Sequence, residues 1–249
     1  MRNQFRVWDA DTHIHPTAET LERYFDPAMR ARLPELNKLK QPAPSDPAYV
    51  PRAAAGRHYY RFPGQIAFKR ILGQAEPPPK PVANFGKFMG TVYPAPGVVD
   101  DLVDLRIQEM DQEGVDVQLL VPGLPTGVFL MNDPELEIGL MRAHNRFVND
   151  ICSKYPHRLK SLLVASGSSV EESLKEIAHW KGASWLAGVW PFPRMDMPLD
   201  HPAMEPFWQA CEELDVAIGF HPQAADEMEG AGKYFGLTRY STSDPIRAA

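Results

Sequence analysis

A short segment near the start of the chain carries acidic and imidazole side chains at alternate positions. Residues 7–16 are Val-Trp-Asp-Ala-Asp-Thr-His-Ile-His-Pro. Alternate side chains of a β-strand point to the same face. If this stretch is a regular strand, one face carries Trp8, Ala10, Thr12 and Ile14. The opposite face carries Asp9, Asp11, His13 and His15. Two imidazoles beside carboxylates are costly in a core but suited to a divalent metal.

The alternative is a polar strand end without a ligand. The chain has 8 histidines in 249 residues, so a His-x-His spacing alone is weak. The strand context, the aspartates in phase with the histidines and the stop at Pro16 favour a metal site. In parallel α/β proteins the carboxyl ends of strands are where active sites lie.

The composition is that of an ordinary globular protein, 44% hydrophobic and 23% charged, with a net charge of -6. That charge argues against nucleic acid or an anionic membrane as a partner. Only Cys152 and Cys211 are present, without a CxxC motif, which fits a reducing compartment. The first residues lack an apolar signal core, and no apolar run approaches a membrane span. We therefore expect a cytoplasmic protein.

After residue 100 the sequence alternates between helical and strand patterns about every 30 residues. Helices are predicted at 101–113, 134–154 and 203–214. A further helix is predicted to begin at a capping box formed by Ser169 and Glu172. Predicted strands are 7–13, 115–121, 159–165, 185–190 and 216–221. This alternation indicates a parallel sheet with helical crossovers.

The fold class predicted is α/β, of the (β/α)8 TIM-barrel type, with only about the first five β/α units present. A barrel of this kind takes about 31 residues per unit. We expect one partial barrel domain over residues 1–249, interrupted by an irregular Pro-rich insertion at 17–99. The insertion should lie on the carboxyl-end face of the barrel. The chain looks C-terminally truncated, inside its fifth helix, so this fragment alone should be inactive.

The fifth predicted strand ends Phe220-His221-Pro222, as the first ends at His15-Pro16. A third imidazole at a strand end could join His13 and His15, because three donors with an open position make a catalytic metal site. The alternative for His221 is a strand-end histidine bonded to a loop.

With these motifs the sequence resembles the amidohydrolase-related family, in the branch of aminocarboxymuconate semialdehyde decarboxylase. Besides the histidine motifs, the resemblance rests on four stretches: Arg106–Gln118, Asn145–Asp150, Tyr155–Arg158 and Ala187–Val189. It implies His13, His15 and His221 as ligands of a divalent metal, most simply Zn, with Asp11 as the supporting carboxylate. The family's strand-six histidine and strand-eight aspartate are expected beyond Ala249, so the catalytic residues are unknown. Asp244 is a poor substitute, because Asp-Pro is typical of a helix cap.

Other polar residues are weaker candidates. Arg57, His58 and Arg61 form a basic cluster with aromatic neighbours that either grips a substrate carboxylate or packs the insertion down. We expect His144 on a helix surface or in a capping role. His157, His179 and His201 are expected to be structural.

These patterns favour a metal-dependent enzyme over a binding module. The leading hypothesis is non-oxidative decarboxylation, a carbon–carbon lyase reaction, of a small carboxylated metabolite. The alternatives are a metal-hydroxide hydrolase of an amide, lactone or carbon–carbon bond, and an inactive truncated barrel. The expected partner is a small molecule, with no nucleic acid and no membrane, and a homodimer is possible. Serine-hydrolase and nucleotide-binding motifs are absent from the sequence.

Overall fold

The computed structural model describes residues 4–14, 16–42, 56–60, 102–122, 128, 133–191 and 201–219. In chain order the strands are β1 Trp8–Ile14, β2 Lys40–Pro42, β3 His58–Tyr60, β4 Val117–Pro122, β5 Leu159–Ala165, β6 Leu186–Pro191 and β7 Ala217–Ile218. The helices are α1 Ala18–Glu22, α2 Pro27–Ala31, α3 Leu33–Leu36, α4 Val103–Glu113, α5 Pro134–Cys152, α6 Val170–Trp180 and α7 Glu205–Glu213.

Five strands form one parallel sheet in the order β1-β4-β5-β6-β7, and β2 and β3 pair as a separate antiparallel ribbon. A helix lies between each consecutive pair from β4 to β7, and α4 precedes β4. The predicted parallel sheet with helical crossovers is therefore confirmed, and the five predicted strands are its five members. The last strand is shorter than predicted within the described residues, since it is assigned only over Ala217–Ile218.

Helix α4 ends where the sequence indicated. Gly114 caps it in the left-handed conformation, with φ of 74°, which glycine adopts at no steric cost. Its buried side chains are Val103, Arg106, Ile107 and Met110. The sequence also predicts Leu102 on the buried side of this helix. The prediction is wrong, because Leu102 lies just before the helix begins and is 38% exposed.

The sheet has a helix-covered face and an opposite face, which we call the inner face. The larger core joins Leu120, Leu163 and Val189 of the sheet to side chains of α4, α5, α6 and α7. Their sequence neighbours Val121, Val164 and Trp190 fall on the inner face by this alternation, and they pack in a smaller cluster that also includes Met141 of α5. This alternation is the period of two expected of strands buried on both faces.

A second core joins the described part of the insertion to α5. It contains Leu21, Phe25, Met29, Leu36 and Tyr60, packed on Leu136, Leu140 and Ala143. A Cβ atom at Gly139 would lie 2.2 Å from Met29 Sδ, so a larger residue there would require the Met29 side chain to move.

The sequence also predicts short helices near residues 20–24 and 66–72. The first corresponds to α1, Ala18–Glu22, and the second lies outside the described residues. The described insertion packs on the amino-terminal half of α5, which follows the carboxyl end of β4. Among the described residues, no helix combines the length and apolarity needed to cross a lipid bilayer.

Candidate metal centre

The first strand contains an irregularity that the sequence pattern did not predict. Trp8 and Asp9 pair with Val117 and Gln118, but Thr12 pairs with Leu120, so β1 has one more residue than β4 across this stretch. Such a β-bulge shifts the alternation of all side chains that follow it. The prediction that Asp9 and His13 share a face is therefore wrong.

His13 nevertheless lies on the inner face of the sheet. Its register partner is Val121, an inner-face residue, whereas Thr12 and Ile14 belong to the helix-covered side with Leu120. The His13 side chain is 26% exposed, and its Nε2 atom is shielded from solvent. Its position at the carboxyl end of a parallel strand is the one expected of an active-site residue.

Asp11 lies close to His13, as the resemblance implied. Its Oδ1 atom is 3.8 Å from Nδ1 of His13, which is ion-pair distance but beyond a direct hydrogen bond. The Asp11 side chain is 73% exposed. Asp11 is thus placed beside the His13 ring, and its predicted supporting role stays a prediction.

The other two predicted ligands, His15 and His221, lie outside the described residues. Within the described residues no group of three or more His, Cys, Asp and Glu side chains is placed to hold a metal. His13 fits a metal centre by its donor atom and its strand-end position. The convergence of the three histidines stays a prediction, and Asp244 also lies outside the described part.

The basic cluster of the insertion is tied to α1. Nδ1 of His58 lies 2.7 Å from Oε1 of Glu19, and the His58 amide donates to Oε2 of the same carboxylate at 3.1 Å. Burial acts to raise the pKa of Glu19, but the hydrogen bonds from His58 outweigh it and the pKa is lowered. These contacts favour the packing alternative for His58, and its role in substrate binding stays a prediction. Arg57 is half-buried, and Arg61 lies outside the described residues.

The expectation for His144 is wrong. This residue is fully buried in α5, with its ring edge-to-face against Phe147 at 6.1 Å. The sequence indicated one buried stripe on this helix, but α5 is covered by the sheet on one side and by the insertion on the other. A helix packed from two sides buries positions that a single apolar stripe would leave in water.

His201 and His179 have the structural roles expected, and the role of His157 stays a prediction. Nδ1 of His201 accepts a hydrogen bond from the Ala203 amide at 3.1 Å and caps a short 3-10 turn. His179 stacks edge-on against Trp180 at 4.6 Å, and His157 is an exposed residue between α5 and β5. Both cysteines are free and buried, and burial raises the pKa of Cys152 to about 12 and that of Cys211 to about 11.

The carboxyl ends of β4 and β5 carry a polar feature that the sequence did not predict. The pairing of β4 with β5 stops at Leu120 and Ser161. Beyond this point the side chain of Asn145 binds the backbone of β5. Asn145 Nδ2 donates to the Val164 carbonyl at 3.0 Å, and Oδ1 accepts from the Val164 amide at 3.1 Å. The stretch Asn145–Asp150 contributed to the family resemblance, but it did not predict this contact.

Glu137 was missed altogether. It is 3% exposed in the first turn of α5, and it accepts hydrogen bonds from Ser166 Oγ at 2.7 Å, from the Ser168 amide at 3.3 Å and from Ser168 Oγ. The next serine, Ser169, caps α6 by accepting from the Glu172 amide, as the capping box indicated. Glu137 therefore fixes the loop that leaves the carboxyl end of β5.

Comparison with known proteins begins with a curated relative. The chain is 27% identical over 120 residues to 2-amino-3-carboxymuconate-6-semialdehyde decarboxylase of Dictyostelium discoideum. The match covers 48% of this chain and 33% of the relative, so it spans about a third of that protein's length. No family model matches the chain.

Two solved structures are similar to this one. The crystal structure of 5-carboxyvanillate decarboxylase from Novosphingobium aromaticivorans, complexed with manganese and 4-hydroxy-3-methoxy-5-nitrobenzoic acid, has a TM-score of 0.51 and 18% identity. The match covers 95% of this chain and 56% of that one. That of 2,6-dihydroxybenzoate decarboxylase from Rhizobium has a TM-score of 0.43 and 25% identity, over 48% of this chain and 39% of the other.

The likeness to the 5-carboxyvanillate decarboxylase shows the fold, which is α/β of the TIM-barrel type. Five strands of that barrel lie within the described residues. The predicted resemblance to the branch of aminocarboxymuconate semialdehyde decarboxylase is confirmed by the curated relative.

Proposed function

We propose that this chain is part of a metal-dependent enzyme that removes carbon dioxide from a small carboxylated compound without oxidation. The observation that carries the proposal is the position of His13, on the inner face of a parallel sheet and at the carboxyl end of its strand. The curated relative and two similar structures carry decarboxylase names, which favours decarboxylation over hydrolysis.

His13, His15 and His221 would hold the ion, and Asp11 would act on the His13 ring from 3.8 Å. Bound there, a divalent ion supplies Lewis-acid polarisation of a substrate oxygen. The inner-face side chains Val121, Val164 and Trp190 would exclude water from the neighbouring surface. We propose a carboxylated aromatic ring as the substrate class, because the two solved relatives are named for such compounds.

The identity of the ion is part of the proposal. Imidazole ligands suit zinc, which was our expectation from the sequence. The structurally similar 5-carboxyvanillate decarboxylase was solved with manganese. Elemental analysis of the purified protein, expressed with both metals in the medium, decides between them.

The metal proposal is tested by removing one predicted ligand at a time. We expect about one divalent ion per chain, lost or much weakened in His13→Ala, His15→Ala and His221→Ala. His157→Ala is the matched control, since His157 is exposed and lies before the amino end of β5, away from the carboxyl ends that carry the predicted ligands. A wild-type protein that retains no ion and takes up none would contradict the proposal.

Activity is measured separately as release of carbon dioxide. 5-Carboxyvanillate and 2,6-dihydroxybenzoate are the first compounds to supply, because the solved relatives are named for them. In an enzyme that contains this chain, we expect release to depend on the added metal and to be abolished in His13→Ala. Metal binding without release from any carboxylated aromatic compound would leave a hydrolase as the better hypothesis.

We also propose a cytoplasmic location, supported by the two free, buried thiols. Fractionation of cells expressing a tagged chain tests it. A homodimer stays a prediction, and light scattering of the purified protein measures the oligomeric state.

A further inference from the structure

The carboxylate of Asp9 accepts hydrogen bonds from Asp11, which lies within the irregular stretch of β1, and from Thr12, which lies directly after it. Its Oδ1 atom accepts a hydrogen bond from the Asp11 amide at 3.2 Å. Its Oδ2 atom accepts one from the Thr12 hydroxyl at 2.5 Å. Asp9 thus closes a small ring of contacts around the extra residue of the bulge.

The contact between Asp9 and Thr12 exists only because of the bulge. In a regular strand, residues three apart point to opposite faces. Here Asp9 is paired with Gln118 and Thr12 with Leu120, and these two positions of β4 share the helix-covered face. Gln118 also accepts a hydrogen bond from Arg106 of α4, which confirms the side on which it lies.

The bulge decides which way His13 points. Counted regularly from Asp9, residue 13 would fall on the helix-covered face, and Ile14 would fall on the inner face. With the extra residue, Ile14 joins the helix-packed core and His13 pairs with Val121 on the inner face. A one-residue change of phase exchanges these two side chains.

We propose that Asp9 is a positioning residue that holds β1 in the bulged form and thereby keeps the His13 imidazole on the inner face. The proposal rests on the proposed function only where it concerns metal binding. Its structural part concerns the metal-free chain and is tested independently.

The experiment compares Asp9→Ala with Asp9→Asn. Alanine removes both acceptors, whereas the asparagine oxygen can accept from the Asp11 amide and its NH2 group can donate to the Thr12 hydroxyl. Asp116→Ala is the matched control, because the Asp116 carboxylate accepts from the Val7 amide at 2.8 Å, just before β1 begins and ahead of the bulge.

Two measurements are made on each variant. In metal-free protein, nuclear Overhauser contacts between the His13 ring and the Val121 methyl groups report the face on which the ring lies. Titration with Co²⁺, followed by its visible absorption, reports metal affinity. For Asp9→Ala we expect loss of the His13–Val121 contact and an affinity about 10- to 100-fold weaker. Asp9→Asn and Asp116→Ala should keep both.

An Asp9→Ala protein with the wild-type contact and affinity would overturn the proposal. If that variant does not fold, Thr12→Val takes its place, because it removes the hydroxyl that binds Asp9, and wild-type behaviour there has the same consequence. If wild-type protein binds no Co²⁺, the metal proposal fails, while the nuclear Overhauser contact still tests the role of Asp9.

Discussion

Strands β1 and β5 are both seven residues long and lie in the same parallel sheet, yet they are stabilised differently. All residues of β5 except Lys160 are buried, and β5 pairs with a strand on each side. In β1 only Ile14 is buried, and β4 is the only partner strand assigned among the described residues. Burial on both faces makes the pattern of β5 regular, whereas β1 accommodates an extra residue.

The polar contacts of the two strands differ in the same way. The carboxyl end of β5 is bound from outside, by Asn145 and Glu137 of α5. The carboxyl end of β1 is shaped from within, by Asp9 of the same strand. The strand that carries the candidate metal ligand is therefore the one whose geometry depends on its own sequence.

The first test of this comparison is Asn145→Ala, which should have the largest effect. It removes both partners of the buried Val164 amide and carbonyl, and a third contact to Glu176 Oε2 at 3.1 Å. Each unsatisfied buried group costs about 1–3 kcal/mol. We expect the free energy of unfolding in urea to fall by about 2–6 kcal/mol.

Asn37→Ala is the control, because Asn37 is an exposed amide in a short 3-10 turn. Its effect should stay within about 0.5 kcal/mol. Equal stability of the Asn145 and Asn37 variants would show that β5 does not depend on α5.

The same contrast explains what the sequence could predict. The strand at Leu159–Ala165 was predicted with its exact ends, because continuous burial makes its apolar run unambiguous. The end of α4 at Gly114 and the cap at Ser169 were predicted from local chemistry that acts within a few residues.

What failed depended on contacts between distant segments. The burial of His144 and Glu137 requires the insertion and the β5–α6 loop to pack on α5 from separate directions. The bulge in β1 could not be predicted from the alternation of side chains. It shows only in the hydrogen bonds that Asp9 accepts from Asp11 and Thr12, and residue types alone do not indicate these contacts. For the candidate site, the metal-binding role of His13 stays a prediction, and the expectation that Asp9 and His13 share a face was wrong.

A second, smaller effect is expected from Glu137→Ala. The change leaves the Ser166 hydroxyl and the Ser168 amide at the carboxyl end of β5 without their carboxylate. We expect a loss of about 1–3 kcal/mol in the free energy of unfolding. Hydrogen exchange should quicken at residues 166–169 and stay unchanged in β1.

Glu135→Ala is matched to it, since Glu135 lies in the same helical turn but is exposed. This variant should be nearly as stable as the wild type. Faster exchange in β1 as well as in the β5–α6 loop would contradict the separation of the two strand ends.

The smallest expected effect concerns the start of α5, the helix that binds β5. Asp133 caps this helix by accepting from the Leu136 amide at 3.0 Å, and it pairs with Arg32 at 2.9 and 2.5 Å. The hydrogen bonds from Arg32 lower the pKa of Asp133, and burial only partly opposes them. A carboxyl whose pKa is lower in the folded state stabilises the fold above its unfolded pKa of about 3.9.

That contribution is lost as the pH falls through the folded pKa, so the wild type should lose it only in acid. Asp133→Asn keeps a capping side chain but removes the charge, and should be less stable by about 0.5–1 kcal/mol at pH 7. Unfolding in urea at pH 7 and at pH 3 should show this difference shrinking at the lower pH. Glu213→Gln, on the exposed last turn of α7, should show no such trend. A difference that persists unchanged in acid would mean that Asp133 holds α5 through its shape and not through its charge.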